Sequence, residues 1–167
     1  MLNLPEIRTR QAQNYIYVPF TVTMQQMQRP ANDGFPLLFA YLERHGLTPV
    51  GDAFYNYRRI DMAGTLDVEA GIAVSGPGPD DGAVRNAVLP GGQFAEVTWI
   101  GHPDKLIDAT AMLIGWIGLT GRPMDMVPKG DGDHFACRLE IYESDPVEHP
   151  NLDEWVTSLA FKLVDKG

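Results

Sequence analysis

The chain has 167 residues, 44% of them apolar, with 22 acidic against 13 basic side chains and a formal charge of −9. That length suits one compact domain, or two small modules sharing a core. The acidity repels phosphate backbones and no cluster of Lys and Arg offsets it, so direct nucleic-acid binding is excluded, while the lone Cys137 excludes an internal disulfide.

Residues 14–22, NYIYVPFTV, are aromatic and β-branched, as a strand requires. Residues 23–33 are polar and Met-rich and match neither period. A helix is predicted from Gly34, with Pro36 in its first turn, Leu37, Leu38, Tyr41 and Leu42 at helical spacing, and Gly46 as the stop. Residues 54–60 and 66–74 read as strands; in the second, Leu66, Val68, Ala70, Ile72 and Val74 alternate with more polar or smaller residues. SGPGPDDG, residues 75–82, is the strongest break. Beyond it come strands over 83–89 and 93–100, then Gly101-His102-Pro103-Asp104 leading into a helix with Leu106, Ala109, Leu113 and Ile117 on one stripe. A loop containing residues 129–133 precedes two further strands, 134–143 and 155–164.

Both halves therefore read strand, helix, strand, strand, and the triplet Gly-Leu-Thr recurs at residues 46–48 and 118–120 where each helix should close. The predicted fold class is α+β, a single domain over 1–167 built from modules 1–76 and 83–167 with a seam between them. Superposing the copies puts Tyr15-Ile16-Tyr17 over Phe94-Ala95-Glu96, and Phe54-Tyr55-Asn56-Tyr57 over Leu139-Glu140-Ile141-Tyr142. Alternation through residues 134–143 assigns Phe135, Cys137, Leu139 and Ile141 to a core face against a helix, with Arg138, Glu140 and Tyr142 opposite. Tyr55 and Tyr57 occupy the equivalent face of the first copy. Two readings of that face stay open. It is a solvated sheet face with Arg138 as an ion partner of Glu140, or three phenols and a carboxylate line a small-molecule pocket at the seam.

The chain resembles the GyrI-like family, the effector-binding domain also found at the C-terminus of AraC-type and MerR-type multidrug regulators. The resemblance is carried by Phe39-Ala40-Tyr41-Leu42, His45-Gly46-Leu47 and Pro49-Val50-Gly51, then by LDVEAGIAV at 66–74 and Leu89-Pro90-Gly91-Gly92. It continues through Gly101-His102-Pro103-Asp104, Trp116-Ile117, Glu140-Ile141-Tyr142 and Asp145-Pro146. It implies two βαββ (SHS2-like) modules related by pseudo-twofold symmetry, with a ligand cleft between them. By the same resemblance Glu140 is the glutamate that meets cationic aromatic drugs and Tyr142 its companion. Two departures stand out: Arg138-Leu139 replaces the aromatic or proline usual before the glutamate, and Trp99 stands where a histidine is usual.

The expected ligand-binding residues are thus Tyr55, Tyr57, Trp99, Trp116, Glu140 and Tyr142, the expected ligand a hydrophobic or cationic small molecule. Trp116 doubles as a packing residue, Glu69 belongs to the solvated face of its strand, and Cys137 is an inert core thiol. The four histidines have no ligand spacing, and Asp131 and Asp133 suggest a calcium loop whose closing glutamate is replaced by Tyr142, so neither metal nor cofactor is expected. Three functions compete. A stand-alone binding protein needs only the cleft. A hydrolase of the kind the family contains, opening strained cyclopropane rings of DNA-alkylating natural products, has Glu140 as general base and Tyr142 as proton donor, both catalytic. A protein partner such as gyrase is the third, from the family's gyrase inhibitor. No signal peptide opens the chain, and its most apolar stretch, 106–119, is short and contains Asp108, so no membrane association is expected and cytoplasm is the expected location.

Overall fold

The computed structural model describes residues 1–166. Its strands are β1 (Glu6–Arg10), β2 (Gln13–Val22), β3 (Pro49–Ile60), β4 (Leu66–Val74), β5 (Arg85–Leu89), β6 (Gly92–Ile100), β7 (Met126–Lys129), β8 (Gly132–Phe135), β9 (Arg138–Tyr142) and β10 (Val156–Lys162). The helices are α1 (Phe35–His45) and α2 (Leu106–Thr120). The unassigned stretch before α1 holds a 3-10 turn, Met24–Gln26, closed by a capping box between Thr23 and Gln26, and a π-helical turn, Pro30–Gly34.

All ten strands join one antiparallel sheet, whose main path runs β1-β6-β10-β9-β3-β4-β2-β5. The inner six strands repeat one order outward from the centre: β3-β4-β2 on one side, β9-β10-β6 on the other. The outermost strands are exchanged. β1 leads into β2 but pairs with β6, and β5 leads into β6 but pairs with β2. The fold is α+β, a curled antiparallel sheet with two helices.

Both helices pack on one face of the sheet. Leu38, Tyr41 and Leu42 of α1 seal against Ile16, Val18, Ile72 and Val74 of β2 and β4, while Ala109, Leu113 and Ile117 of α2 seal against Ala95, Val97, Leu159 and Phe161 of β6 and β10. Burying each such aliphatic side chain contributes about 1.5–3 kcal/mol. The opposite face needs no helix. There the sheet curls over its own strands and encloses Tyr15, Phe54, Leu89, Phe94, Cys137, Leu139 and Ala160.

Four expectations are corrected. The second Gly-Leu-Thr does not close its helix. α2 runs on through Gly118, a tolerable residue in a helix interior at about 1 kcal/mol relative to Ala, and ends at Gly121, whose φ of 69° is the left-handed conformation Gly46 adopts at 63°. The loop at 129–133 is the turn of the β7–β8 hairpin. Residues 134–143 are two strands, because the long β3 pairs with β9 near its middle and with β8 at its end. The Asn56 side chain bridges the gap, its Oδ1 accepting from the Arg138 N–H at 3.2 Å. That interruption shifts the alternation, so Phe135 stands beside Arg138, with the guanidinium carbon 4.8 Å from its ring centre. Cys137, Leu139 and Ile141 face the sheet-only core and not a helix.

Candidate functional site

Neither helix cluster includes a side chain of β9, so the middle of the sheet is where the two helical covers stop. On that face β3 presents Tyr55 and Tyr57, and β9 presents Arg138, Glu140 and Tyr142. Tyr55 and Glu140 are direct partners across the β3–β9 ladder. They are also the residues that superposition of the two halves makes equivalent.

Glu140 takes a hydrogen bond from each side. The Tyr142 hydroxyl donates to Oε1 at 2.5 Å and the Tyr57 hydroxyl to Oε2 at 3.3 Å. Burial pushes the Glu140 carboxyl above its ordinary value, while the two phenols and the nearby Arg138 charge oppose that shift. The Tyr57 and Tyr142 phenols are raised as well, first by burial and then by the Glu140 charge, so both remain donors at neutral pH. Glu140 is enclosed on most sides by protein and keeps partial exposure.

The Tyr55 hydroxyl is engaged elsewhere. It donates to the Met27 carbonyl at 2.8 Å and accepts from the Ala31 N–H at 2.9 Å, tying the stretch before α1 to β3. Its ring meets that of Tyr142 edge-on, centroids 5.2 Å apart at 89°. Phe35, the first residue of α1, stands over both, 5.9 Å from Tyr55 and 6.2 Å from Tyr142. Phe35 and the residues 27–31 were missed in the sequence. The signal for Phe35 was present, since it extends the Leu38–Leu42 stripe by one turn toward the seam. Replacing Tyr55 by Phe removes the bridge and leaves the Ala31 N–H without its partner. The expected loss is about 1–3 kcal/mol of stability, together with faster amide exchange at Ala31, measured by hydrogen exchange.

Arg138 does not pair with Glu140. Among the described residues no carboxylate lies within salt-bridge distance of it. Its guanidinium is instead flanked by rings, 4.7 Å from the centroid of Phe161, 4.8 Å from Phe135 and 5.7 Å from Tyr57.

The structure thus brings Tyr55, Tyr57, Glu140 and Tyr142 together. Trp99 and Trp116 both pack on the α2 cluster. Trp99 lies opposite Thr157, which in turn lies opposite Tyr142, so one strand separates it from the carboxylate. Its indole N–H is held by the His102 carbonyl at 3.1 Å.

Glu69 is not on a solvated face. It is 9% exposed on the sheet's other side, where Oε1 accepts from Tyr15 at 2.6 Å and Asn56 at 3.0 Å. Beside it opens a cavity of about 430 Å³ lined by Tyr17, Arg58, Glu69 and Arg85. Burial pushes the Cys137 thiol up to about 12, which leaves it protonated and unreactive. Among the described residues no three His, Cys, Asp or Glu side chains converge as metal ligands would, and no helix is long and apolar enough to cross a membrane.

A pH dependence follows from Glu140. A carboxyl held above its ordinary value binds its proton more tightly in the folded state than in the unfolded one. Its contribution is therefore most favourable below the unfolded value near 4.5, and is lost as pH rises through the folded value. Glu140→Gln removes that dependence, so the variant gains stability on the wild type between acidic and mildly alkaline pH. Urea midpoints at the two ends of that range measure it, and a constant difference between the proteins would contradict a shifted carboxyl.

Comparison with known proteins places this geometry. The GyrI-like small molecule binding domain matches residues 4–163. No curated protein sequence matches the chain significantly. Among solved structures, the EcmrR C-terminal domain superposes with a TM-score of 0.76 at 18% identity, covering 98% of both chains. In the EcmrR–DNA complex the TM-score is 0.77 at 18% identity, and this chain, 98% covered, spans only 58% of the EcmrR chain. A hydrolase from Listeria innocua gives 0.61 at 14% identity, covering 96% of this chain and 91% of that one. SAV2435 bound to tetraphenylphosphonium gives 0.58 at 8% identity, covering 97% and 94%. At such identities these likenesses speak for the fold, and the assignment rests on the domain match across nearly the whole sequence: the chain belongs to the GyrI-like small molecule binding domain family.

Proposed function

We propose that the recess over β3 and β9 binds a flat aromatic small molecule, with Glu140 receiving a cationic or hydrogen-bond-donating group and the rings of Tyr55, Tyr57, Tyr142 and Phe35 receiving its body. The observation that carries this is the half-buried Glu140 carboxylate, flanked by two phenols and with no cation among the described residues in contact with it. Such a carboxylate favours a positive partner, and the phenol faces add cation–π attraction of about 0.5–2 kcal/mol each. Trp99 and Trp116 serve as the outer wall on the α2 side. Entry requires the Phe35 ring to swing from over Tyr55 and Tyr142, which makes the preceding residues 27–34 the moving part. The tetraphenylphosphonium bound to SAV2435 supports a ligand that is cationic and aromatic. Fluorescence titration with rhodamine 123, a cationic aromatic dye, tests the reading. Saturable one-to-one binding is expected, and a linear, non-saturating response rejects it.

A second reading is favoured by the 2.5 Å contact between Tyr142 and a carboxyl that burial has made more basic. On a substrate with a cyclopropane conjugated to a carbonyl, Glu140 takes a proton from water as the oxygen attacks the ring carbon. The breaking C–C bond sends its electrons into the carbonyl, which Tyr142 protonates. General-base help of this kind contributes about 10²–10⁴-fold. Mass spectrometry after incubation with such a compound decides it: a product heavier by one water, absent with Glu140→Gln, is expected, and unchanged substrate removes the hydrolase.

A further inference from the structure

The same recess holds a group whose needs the protein does not meet. Glu140 already has two phenol donors. Arg138, two residues away on the same face of β9, has no side-chain hydrogen bond to any of the described residues. Its Nε is fully covered without any hydrogen-bond partner. Its backbone N–H donates to Asn56 Oδ1 at 3.2 Å. Phe161, Phe135 and Tyr57 hold the guanidinium by their faces, but a ring face supplies attraction without an oxygen acceptor. A guanidinium is never neutralised by losing its proton in a protein, so this one stays charged, with its Nε–H covered and without an oxygen acceptor among the described residues. A buried donor left unsatisfied is destabilising on its own and gains most from whatever molecule brings the missing oxygen.

We infer that the ligand of the recess is amphoteric: an aromatic molecule whose donating or cationic end meets Glu140 and whose carboxylate, or an equivalent planar acceptor, meets Arg138. The inference rests on the binding reading given above and adds to it the second charge. Glu140 pairs with Tyr55 across the ladder, and the Tyr57 phenol reaches both charges, its hydroxyl donating to Glu140 and its ring lying 5.7 Å from the Arg138 guanidinium carbon. A flat molecule lying across β3 and β9 meets both. A planar carboxylate also matches the two-pronged guanidinium, which a point-like acceptor does not. The net charge of −9 does not oppose this, because fields from distant surface charges are screened over about 8 Å at physiological salt. They act on encounter rate more than on the bound state.

Two dyes that differ in this one feature provide the test. Rhodamine 110 carries a free carboxylate, and rhodamine 123 is its methyl ester. The wild-type protein is expected to bind rhodamine 110 about 10- to 100-fold more tightly, the range for a hydrogen-bonded charge. Arg138→Met should erase that preference, bringing the affinities for the two dyes together. The methionine replaces a half-buried cation without a carboxylate partner by an apolar side chain, a change that folded proteins accept. Arg138→Gln gives the same readout if the methionine variant does not fold. Equal affinity for the two dyes in the wild type, or a preference that survives loss of Arg138, overturns the inference and leaves the binding reading intact. Failure of both dyes to bind removes the binding reading and this inference with it.

Discussion

Glu140→Gln should weaken the binding of rhodamine 123 by roughly 10- to 100-fold, about 1.5–3 kcal/mol, the contribution of a hydrogen bond to a charged group. Glutamine keeps the volume and one carbonyl acceptor, so one of the two phenols retains its partner. The other loses it and faces an amide N–H₂. What disappears is the negative charge, and with it the term that distinguishes a cationic ring from a neutral one. Fluorescence titration of the two proteins side by side measures the ratio. A dissociation constant unchanged by the substitution would place the dye elsewhere, the cavity beside Glu69 on the opposite face being the natural candidate.

The largest loss of stability is expected from Leu113→Ala. Leu113 is wholly buried at the centre of α2, above Ala95, Val97, Leu159 and Phe161. Truncation removes apolar contact and leaves a hole that a sheet on one side and a helix on the other can only partly close. The expected range is about 2–5 kcal/mol, a large share of the roughly 5–15 kcal/mol that holds a domain folded. Leu119→Ala, on the same helix but 87% exposed, should stay within about 0.5 kcal/mol. Urea denaturation of both variants provides the comparison, and similar losses at the two positions would mean that α2 is not seated as described. Because Leu159 is also the neighbour of Glu140 across the β9–β10 ladder, loss of packing at Leu113 should slacken the strands around Glu140 as well.

The sequence revealed what depends on period and on punctuation. β4 has the bounds its alternation predicts, and α1 ends at the glycine that its left-handed turn requires. The convergence of Tyr55, Tyr57, Glu140 and Tyr142 was legible because the superposed halves put those side chains on matching faces. What was not legible is long-range. β1 gives no strong local signal, and its partner is β6, more than eighty residues away. The division of 134–143 into two strands arises because β3 accepts two partners along one edge, a fact about pairing and not about either segment. Glu69 read as solvated because alternation distinguishes the faces of a strand without saying what covers them, and here the curl of the sheet covers the polar one. Arg138 read as the ion partner of Glu140 because two residues apart in a strand is close in sequence terms, whereas the rings of Phe135 and Phe161 draw the guanidinium away.

The swapped outer strands have a mechanical consequence. Each half lends its first strand to the other, so the halves are laced together at both margins of the sheet as well as along the central ladder. Prising them apart would tear β1 from β6 and β5 from β2 simultaneously, which amounts to unfolding. In the binding reading proposed above, a guest is therefore not admitted by two lobes opening like jaws. In that reading the pliable part is the short stretch tethered to β3 by the Tyr55 hydroxyl, and release of that tether sets the rate of exchange.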